Sequence, residues 1–526
     1  MDPLLNNKAD VIKYMNRNMV RNKFEGHLQR FLPASKLEVV TSLEVIRNLV
    51  VEDQELILNN QEKANLPDRI SHFGRKLFAI CVFQEIPLLF LKAMLDNGLT
   101  DRSLPLSEEQ FDSLISNRKM VKDFTDDQKH FNTMFFKENC NESMDEETSD
   151  QLSMPIDYNG SKNLIGRGAF GAVYDVRIHP DHHNFTSNGR DNRFAMKIME
   201  KTMDEREKNY HAAMIGISHS HLAKCLSSFT LGENYYMFYE LASGDLEKFI
   251  CTHPVASSEP GLTPSWLAQQ LAGLAAALRV VHNPRDTTSR TSNTLGVPQS
   301  GKDKTGYIHD IKPDNILVFQ YPGNLNWLRL SDFSCAKVNE LNETVSGNRR
   351  SHKTDNRAGT PSYRAPEQRK GSTSRPYDLW SIGCVYLEIL VWFTEHYEGL
   401  ERFRDERTGK IHPQAITDDG FFYDTPSGDC LRPAVTSKIS ELSRKCTNEL
   451  KAIADAIPLL LKIKPEERLN ASQLAQRFKH LDTGSSSSTQ VPFIAESLPV
   501  HSRPSPKLPV YDGESDDYVK ITKPSK

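Results

Sequence analysis

Between Tyr307 and Val318 the chain reads Tyr-Ile-His-Asp-Ile-Lys-Pro-Asp-Asn-Ile-Leu-Val, so Asp310, Lys312 and Asn315 fall within six positions between apolar flanks. A carboxylate, an ammonium and an amide so closely spaced suit a site that moves a phosphoryl group. That chemistry asks for a group to orient the attacking hydroxyl, positive charge beside the moving phosphate, and oxygen ligands for a hard cation.

The rest of the chain narrows the setting. With 526 residues there is room for several cores, and a prior of two to four domains. A net charge of −4 gives no support to a nucleic-acid or membrane-surface partner. Cys81, Cys140, Cys225, Cys251, Cys335, Cys384, Cys430 and Cys446 lie far apart without a CxxC pair. That pattern argues against zinc and against a secreted disulfide framework. The start, Met-Asp-Pro-Leu-Leu-Asn-Asn-Lys, lacks a basic-then-apolar leader. The most apolar window, Leu77 to Leu95, is interrupted by Gln84, Glu85, Pro87 and Lys92. A buried helical pair suits it better than a membrane span, which takes about 20 nearly unbroken apolar residues. The expectation is a soluble intracellular protein, cytoplasmic, with the nucleus left open.

Residues 1–135 read as an all-α extension: Leu43, Ile46, Leu49 and Val50 recur at helical spacing, as do Leu88, Leu91 and Leu95. Ser107–Gln110 and Thr125–Gln128 resemble capping boxes that start helices. The acidic, polar run from Glu138 to Gln151 suggests a linker over 136–154. Short β-type segments then fill 155–242, and long helical patterns occupy 243–480, interrupted by a polar insert at 283–305 expected to be disordered. The Ser- and Pro-rich tail, 481–526, is expected to be disordered as well.

Gly166, Gly168 and Gly171 have the G-x-G-x-x-G spacing, a weak signal alone because dinucleotide folds share it. There the third glycine opens a helix. Here Ala172 to Val176 alternates as a strand, which puts the glycines in a hairpin turn where backbone can approach phosphate oxygens. A plain structural hairpin is the competing reading; it loses ground at Phe194–Lys197, a strand-like segment ending on an ammonium. His179, His182 and His183, in the connection that follows the hairpin, read as a solvated insert rather than metal ligands.

Together with Asp332-Phe-Ser and Gly359-Thr-Pro-Ser-Tyr-Arg-Ala-Pro-Glu367, these motifs stand in the order of the eukaryotic protein kinase signature set, and residues 155–480 resemble that family. The resemblance implies an α+β, bilobal fold with a small β-rich lobe (155–242) and a large helical lobe (243–480), preceded by the helical extension. It implies ATP and Mg²⁺ as cofactors and a protein substrate. Asp310 would orient or accept the proton of the substrate hydroxyl, Lys312 would stand by the γ-phosphate, and Asn315 and Asp332 would ligate the metal. Lys197 would neutralise phosphate charge. Lys312 and Thr360 in their contexts are similar to the serine/threonine class. Ile165, Gly166, Gly168, Gly171, Val173 and Ala195 would surround the nucleotide. The Glu240 carbonyl and Ala242 amide would pair with the adenine edge beside a bulky Tyr239, and Asp245 would reach ribose. Asp378 resembles the buried aspartate that holds the catalytic loop, and Arg468 resembles the partner of Glu367.

The chain departs from the family where Ile308-His309 replaces His-Arg before the aspartate, which makes switching by activation-loop phosphorylation less expected. A packed isoleucine could take the histidine's place, and His309 is read as a simple loop residue. Ser334 replaces a glycine after Asp332-Phe333. The glutamate that should pair with Lys197 is sought in Met203–Met214, which offers Glu205 and Glu207; Glu207, about one helical turn before the expected position near Tyr210, is chosen, and a surface charge that leaves Lys197 without its usual anchor is the competing reading. Every group that must touch phosphate, metal or acceptor is present, so the favoured reading is an active serine/threonine kinase. A pseudokinase or scaffold that binds without efficient transfer is the alternative. The extension and the Ile-His-Asp-Ile-Lys-Pro-Asp-Asn loop resemble uncharacterised kinase-like proteins of filamentous fungi, and a regulatory partner could engage the extension.

Overall fold

The computed structural model describes residues 5–481 apart from 57–58, 112–113, 115–116, 145–149, 169–170, 187–189, 201–217, 284–303, 324, 332–336, 341, 344–348, 351–353, 356–360, 371 and 409–419. Glu207, Asp332, Ser334, Thr360, most of the polar insert and the Ser/Pro-rich tail therefore lie outside the described residues.

The N-terminal region is helical: α1 (Lys8–Asn18), α2 (Ala34–Val40), α3 (Leu43–Glu52), α4 (Asn60–Phe73), α5 (Arg75–Phe83), α6 (Leu88–Asp96) and α7 (Arg118–Asp127). The apolar window divides into α5 and α6, and all six residues from Leu77 to Val82 are buried, which makes α5 the central helix of this core. None of the described helices is long and apolar enough to cross a membrane. Two local expectations fail. Thr125 does not start a helix; it sits inside α7, its hydroxyl donating to the Lys122 carbonyl, while Asn117 caps that helix. The extension also contains a hairpin, β1 (Val20–Phe24) and β2 (His27–Phe31). Its two-residue turn places Glu25 at φ 51° and Gly26 at φ 84°, the left-handed pair that matches the twist of the strands.

That hairpin reaches the next layer. Phe24 packs with Tyr158 and Tyr236, the Lys23 carbonyl accepts from the Tyr158 N–H at 2.7 Å, and Asn22 Nδ2 donates to the Met154 and Ile156 carbonyls. The partner is a curled sheet ordered β3-β8-β9-β7-β6-β4: β3 (Asn141–Met144), β8 (Cys225–Leu231), β9 (Asn234–Glu240), β7 (Arg193–Glu200), β6 (Gly171–Ile178) and β4 (Ile156–Asp157). A further strand, β5 (Leu164–Gly168), pairs with β6. The stretch expected as a linker thus supplies β3, which runs parallel to β8. Its polar composition hid the strand. Phe136 is what anchors it, fully buried against Phe229 and Phe238, with Glu138 paired to Lys224 at 2.6 Å.

The histidine connection is likewise packed rather than solvated. The Phe31 ring meets the rings of His179 and His182 edge-on at 5.6 and 5.2 Å, His182 is buried, and Asp181 accepts from the Ser35 N–H at 2.9 Å. Burial pushes the His182 imidazole down to about 4, so the seam holds it neutral.

The larger lobe is built on the Pro264–His282 helix, which buries residues on nearly every side, and on the Arg375–Arg407 helix, which breaks direction at His396. Helices Pro433–Lys445, Asn448–Leu460 and Ala471–Arg477 complete one continuous apolar core with them. Strand β11 (Lys304–Tyr307) pairs with Lys337–Glu340, and a three-stranded sheet, β10 (Gly244–Asp245), β12 (Ile316–Tyr321) and β13 (Leu325–Leu330), covers this core beside the chain crossing from β9. Residues 219–223, just before β8, are stitched to β13. The His221 ring stacks on Trp327 and its Nδ1 bonds to the Leu328 carbonyl. A Cβ on Gly273 would lie 2.1 Å from His221 Nε2, so the long helix offers that ring a notch only glycine leaves open.

Candidate active site

The registers of β6, β7 and β9 set one wall. Val173 lies opposite Lys197, Ala195 opposite both Asp175 and Tyr239, and Lys197 opposite Met237. Two positions apart on β7, Ala195 (buried) and Lys197 (half-buried) share one face of the sheet. The two outer glycines of the turn have different physical reasons. A Cβ at Gly171 would stand 2.3 Å from the Ile198 carbonyl oxygen, so the close approach of β7 requires glycine. A Cβ at Gly166 would meet nothing within 4 Å. Ile165, beside it on β5, is an apolar residue that is 55% exposed.

A second group of candidate residues stands on the loop Ile308–Asn315. Asn315 Nδ2 donates to the Asp310 carbonyl at 2.8 Å and to Asp310 Oδ2 at 3.0 Å, and Lys312 Nζ stands 3.3 Å from the same carboxylate oxygen. The three residues picked out in the sequence therefore converge. The loop is held from below by Asp378, fully buried on the Arg375–Arg407 helix, which accepts from the Ile308 and His309 N–H groups at 2.8 Å each. The Ile308 side chain joins the apolar core, as a packed isoleucine should. His309 is more than a loop residue. It is fully buried at φ 76°, its ring 4.4 Å from that of Tyr377. Two hydrogen bonds from adjacent amides to one carboxylate hold a backbone conformation that a β-carbon otherwise disfavours.

Sequence reasoning missed His282, whose Nε2 reaches Asp378 Oδ2 at 2.9 Å. As the last residue of a long apolar helix it carried no motif, and only the fold brings it beside the aspartate. Arg468 and Glu367 form a bidentate pair at 2.7 and 2.8 Å, with the Arg468 side chain fully buried. Glu240 ends β9 with its carboxylate bound to Arg329 at 2.6 Å, and Ala242 lies in the crossing segment. Asp245 caps the Leu246–Thr252 helix, Oδ1 accepting from the Lys248 N–H at 2.7 Å, which engages one of its two oxygens.

Asp332 follows Ser331, whose N–H and hydroxyl both donate to the Asn315 carbonyl at 2.9 and 2.8 Å. That tether ties the chain entering Asp332 to the loop carrying Asn315. Because Nδ2 makes both contacts of the Asn315 amide to Asp310, the Oδ1 branch points elsewhere, a hard oxygen of the kind Mg²⁺ takes. Among the described residues no group of three or more His, Cys, Asp or Glu could hold a metal by itself. After Thr360 the chain makes a turn at Pro361–Tyr363, and a pocket of about 340 Å³ opens between Pro361, Arg364, Arg369 and Phe422.

The β-rich sheet, the helical lobe that follows it and the Asp310–Asn315 loop are similar to the parts of a protein kinase domain. The family model described as protein kinase domain matches residues 304–478. The chain is 27% identical over 232 residues to the G-type lectin S-receptor-like serine/threonine-protein kinase RLK1 of Arabidopsis thaliana, covering 43% of this chain and 23% of that protein. It is 28% identical over 250 residues to the Rho-associated protein kinase let-502 of Caenorhabditis briggsae, covering 44% and 17%. It is 23% identical over 335 residues to the human calcium/calmodulin-dependent protein kinase type IV, covering 61% and 55%. These matches support the eukaryotic protein kinase superfamily, and the chain spans little more than half, at most, of the length of these relatives.

Proposed function

We propose that this protein is a Mg²⁺-dependent serine/threonine protein kinase that transfers the γ-phosphate of ATP to a protein hydroxyl. The observation that carries this reading is the convergence of Asp310, Lys312 and Asn315 on a loop clamped by Asp378. Asp310 accepts a hydrogen bond from the acceptor hydroxyl and takes its proton. The hydroxyl oxygen bonds to the γ-phosphorus as the bond to the bridging oxygen breaks, and ADP leaves with that electron pair. Lys312, beside the same carboxylate, brings positive charge to the transferring group, and Lys197 on β7 does so for the other phosphates. Asn315 and Asp332 would hold Mg²⁺, which when bound neutralises charge on the β- and γ-phosphates. Gly166 leaves room for phosphate oxygens, and the exposed Ile165 with Val173 and Ala195 supplies apolar cover for the base. Glu207 is assigned to Lys197 by its spacing before His219–Leu222, and Thr360 to the acceptor side on motif order. Both are extrapolated from the family pattern, as is the serine/threonine preference.

With His309 in place of arginine, switching by phosphorylation of the activation segment is less expected. Residues 155–480 are taken as the catalytic unit, cytoplasmic in setting, with the extension open to a regulatory partner. The test is incorporation of labelled γ-phosphate into a protein acceptor by purified full-length chain with and without Mg²⁺, compared with Asp310→Asn. Equal signals from the two proteins would remove intrinsic transferase activity, and nucleotide binding without transfer would point to a scaffold.

A further inference from the structure

Arg329 closes a small circuit of hydrogen bonds at the back of the inter-lobe crossing. Its Nη1 donates to Glu240 Oε2 at 2.6 Å and its Nη2 to the Tyr321 hydroxyl at 2.6 Å. The Tyr321 hydroxyl in turn donates to Glu240 Oε1 at 3.1 Å. The remaining donor, Nε, reaches the Ser220 carbonyl at 3.1 Å, where Trp327 Nε1 also donates at 2.8 Å. The guanidinium carbon lies over the Phe319 ring, 4.2 Å from its centroid. Burial pushes the Tyr321 phenol up to about 12, so its O–H is intact at neutral pH.

This circuit joins four parts of the chain. Glu240 is the last residue of β9, still in register with Phe194. Ser220 belongs to the segment stitched to β13, Tyr321 ends β12, and Arg329 lies on β13 two residues before Ser331. The far end of the crossing is fixed as well, by the Ser243 N–H donating to the Val318 carbonyl at 2.9 Å and by Gly244 in register with Val318. Leu241 and Ala242 therefore bridge two ends, Glu240 and Ser243, that are both held on the β12–β13 hairpin. A two-residue bridge between fixed ends has few backbone solutions, so the orientation of the Glu240 carbonyl and Ala242 amide follows from where Arg329 holds the Glu240 carboxylate.

We infer that Arg329 is a positioning residue for the nucleotide: through Glu240 and Tyr321 it presets the backbone edge that receives the adenine. The inference rests on the kinase reading above and extends it to a residue that touches neither nucleotide nor acceptor. Lysine could keep one contact, not the paired donors to Glu240 and Tyr321. Methionine would keep the apolar cover of Phe319 and leave the Glu240 carboxylate with Tyr321 alone.

The test is a titration of full-length protein with a fluorescent ATP analogue, beside steady-state kinetics on a protein acceptor. Wild type, Arg329→Met, Arg329→Lys, Tyr321→Phe and Glu240→Gln are compared, each first checked by thermal melting. Arg329→Met is expected to weaken nucleotide binding by about tenfold and to raise KM for ATP in proportion, with KM for the acceptor unchanged. Arg329→Lys recovers part of the loss. Tyr321→Phe, which deletes one hydroxyl, weakens binding two- to threefold and supplies the answer should Arg329→Met not fold. Unchanged nucleotide affinity in folded Arg329→Met and Tyr321→Phe overturns the inference. So does unchanged affinity with faster turnover, which would make the circuit a restraint on lobe movement. Wild type that binds no nucleotide fails at an earlier step and overturns the kinase reading together with this one.

Discussion

Replacing Phe24 with alanine measures how far the N-terminal hairpin belongs to the β-rich lobe. The ring is 4% exposed and sits 6.1 Å from the ring of Tyr158 and 5.9 Å from that of Tyr236, inside the apolar cluster of the β-rich lobe. Removing a phenyl group from such a site costs about 3–5 kcal/mol, transfer and cavity combined. Leu28, on the other strand of the same hairpin, is 66% exposed, and its alanine variant should stay within about 0.5 kcal/mol of wild type. Both substitutions leave the Glu25-Gly26 turn intact, so the contrast isolates the contact with the sheet. All four tryptophans, Trp266, Trp327, Trp380 and Trp392, lie in the helical lobe, so their fluorescence during urea unfolding reports that lobe, while circular dichroism reports the whole chain. At a slope of about 3 kcal/mol per molar urea, Phe24→Ala should lower the midpoint by on the order of 1 M. A shift no larger than that of Leu28→Ala would refute the claim that the extension is built into the lobe.

Gly166→Ala should melt within about 1 kcal/mol of wild type yet weaken nucleotide binding severalfold, whereas Gly171→Ala, whose Cβ would meet the Ile198 carbonyl at 2.3 Å, should lower stability by about 1–3 kcal/mol; paired thermal melts and titrations check both. Asp378→Asn leaves one oxygen for the Ile308 and His309 amides and should cut phosphate transfer at least tenfold with little change in KM for ATP, and an unaltered rate would show that the loop does not need the clamp. His182 has its imidazole lowered by burial to about 4. Unfolded chain takes up that proton near pH 6.5 and folded chain only near 4, so stability falls as pH drops across that window. Urea midpoints at pH 7, 6 and 5 should show a shallower decline for His182→Gln, and parallel curves for the two proteins would contradict the assignment.

What the sequence disclosed were features whose information is local. The spacing of Asp310, Lys312 and Asn315 carries their convergence because a short loop can hardly separate them. The apolar runs Leu77–Val82 and Leu88–Leu95 carried two helices because helical burial has a period that a reader can count. The positive φ at Glu25 gave no warning, since glutamate is not a residue that announces a turn. Thr125 looked like a cap because Gln128 follows at the right distance, but Asn117 had already started the helix. His282, Arg329 and Gly273 were silent for a different reason. Each owes its role to a partner about 50 to 100 positions away: Asp378, Glu240 and His221. The acidic composition after Phe136 pointed to a tether, and a single buried aromatic ring outweighed it.

The placement of β3 and β4 has a mechanical corollary. These two short strands leave the helical extension and border the curled sheet on its two opposite margins, one along β8 and the other along β6. Tension applied to the amino-terminal helices would thus be delivered into the sheet at both borders before any slack could be drawn out. A binder that grips the extension holds a handle fixed to the sheet that carries the glycine turn, and rotating that handle tilts the sheet.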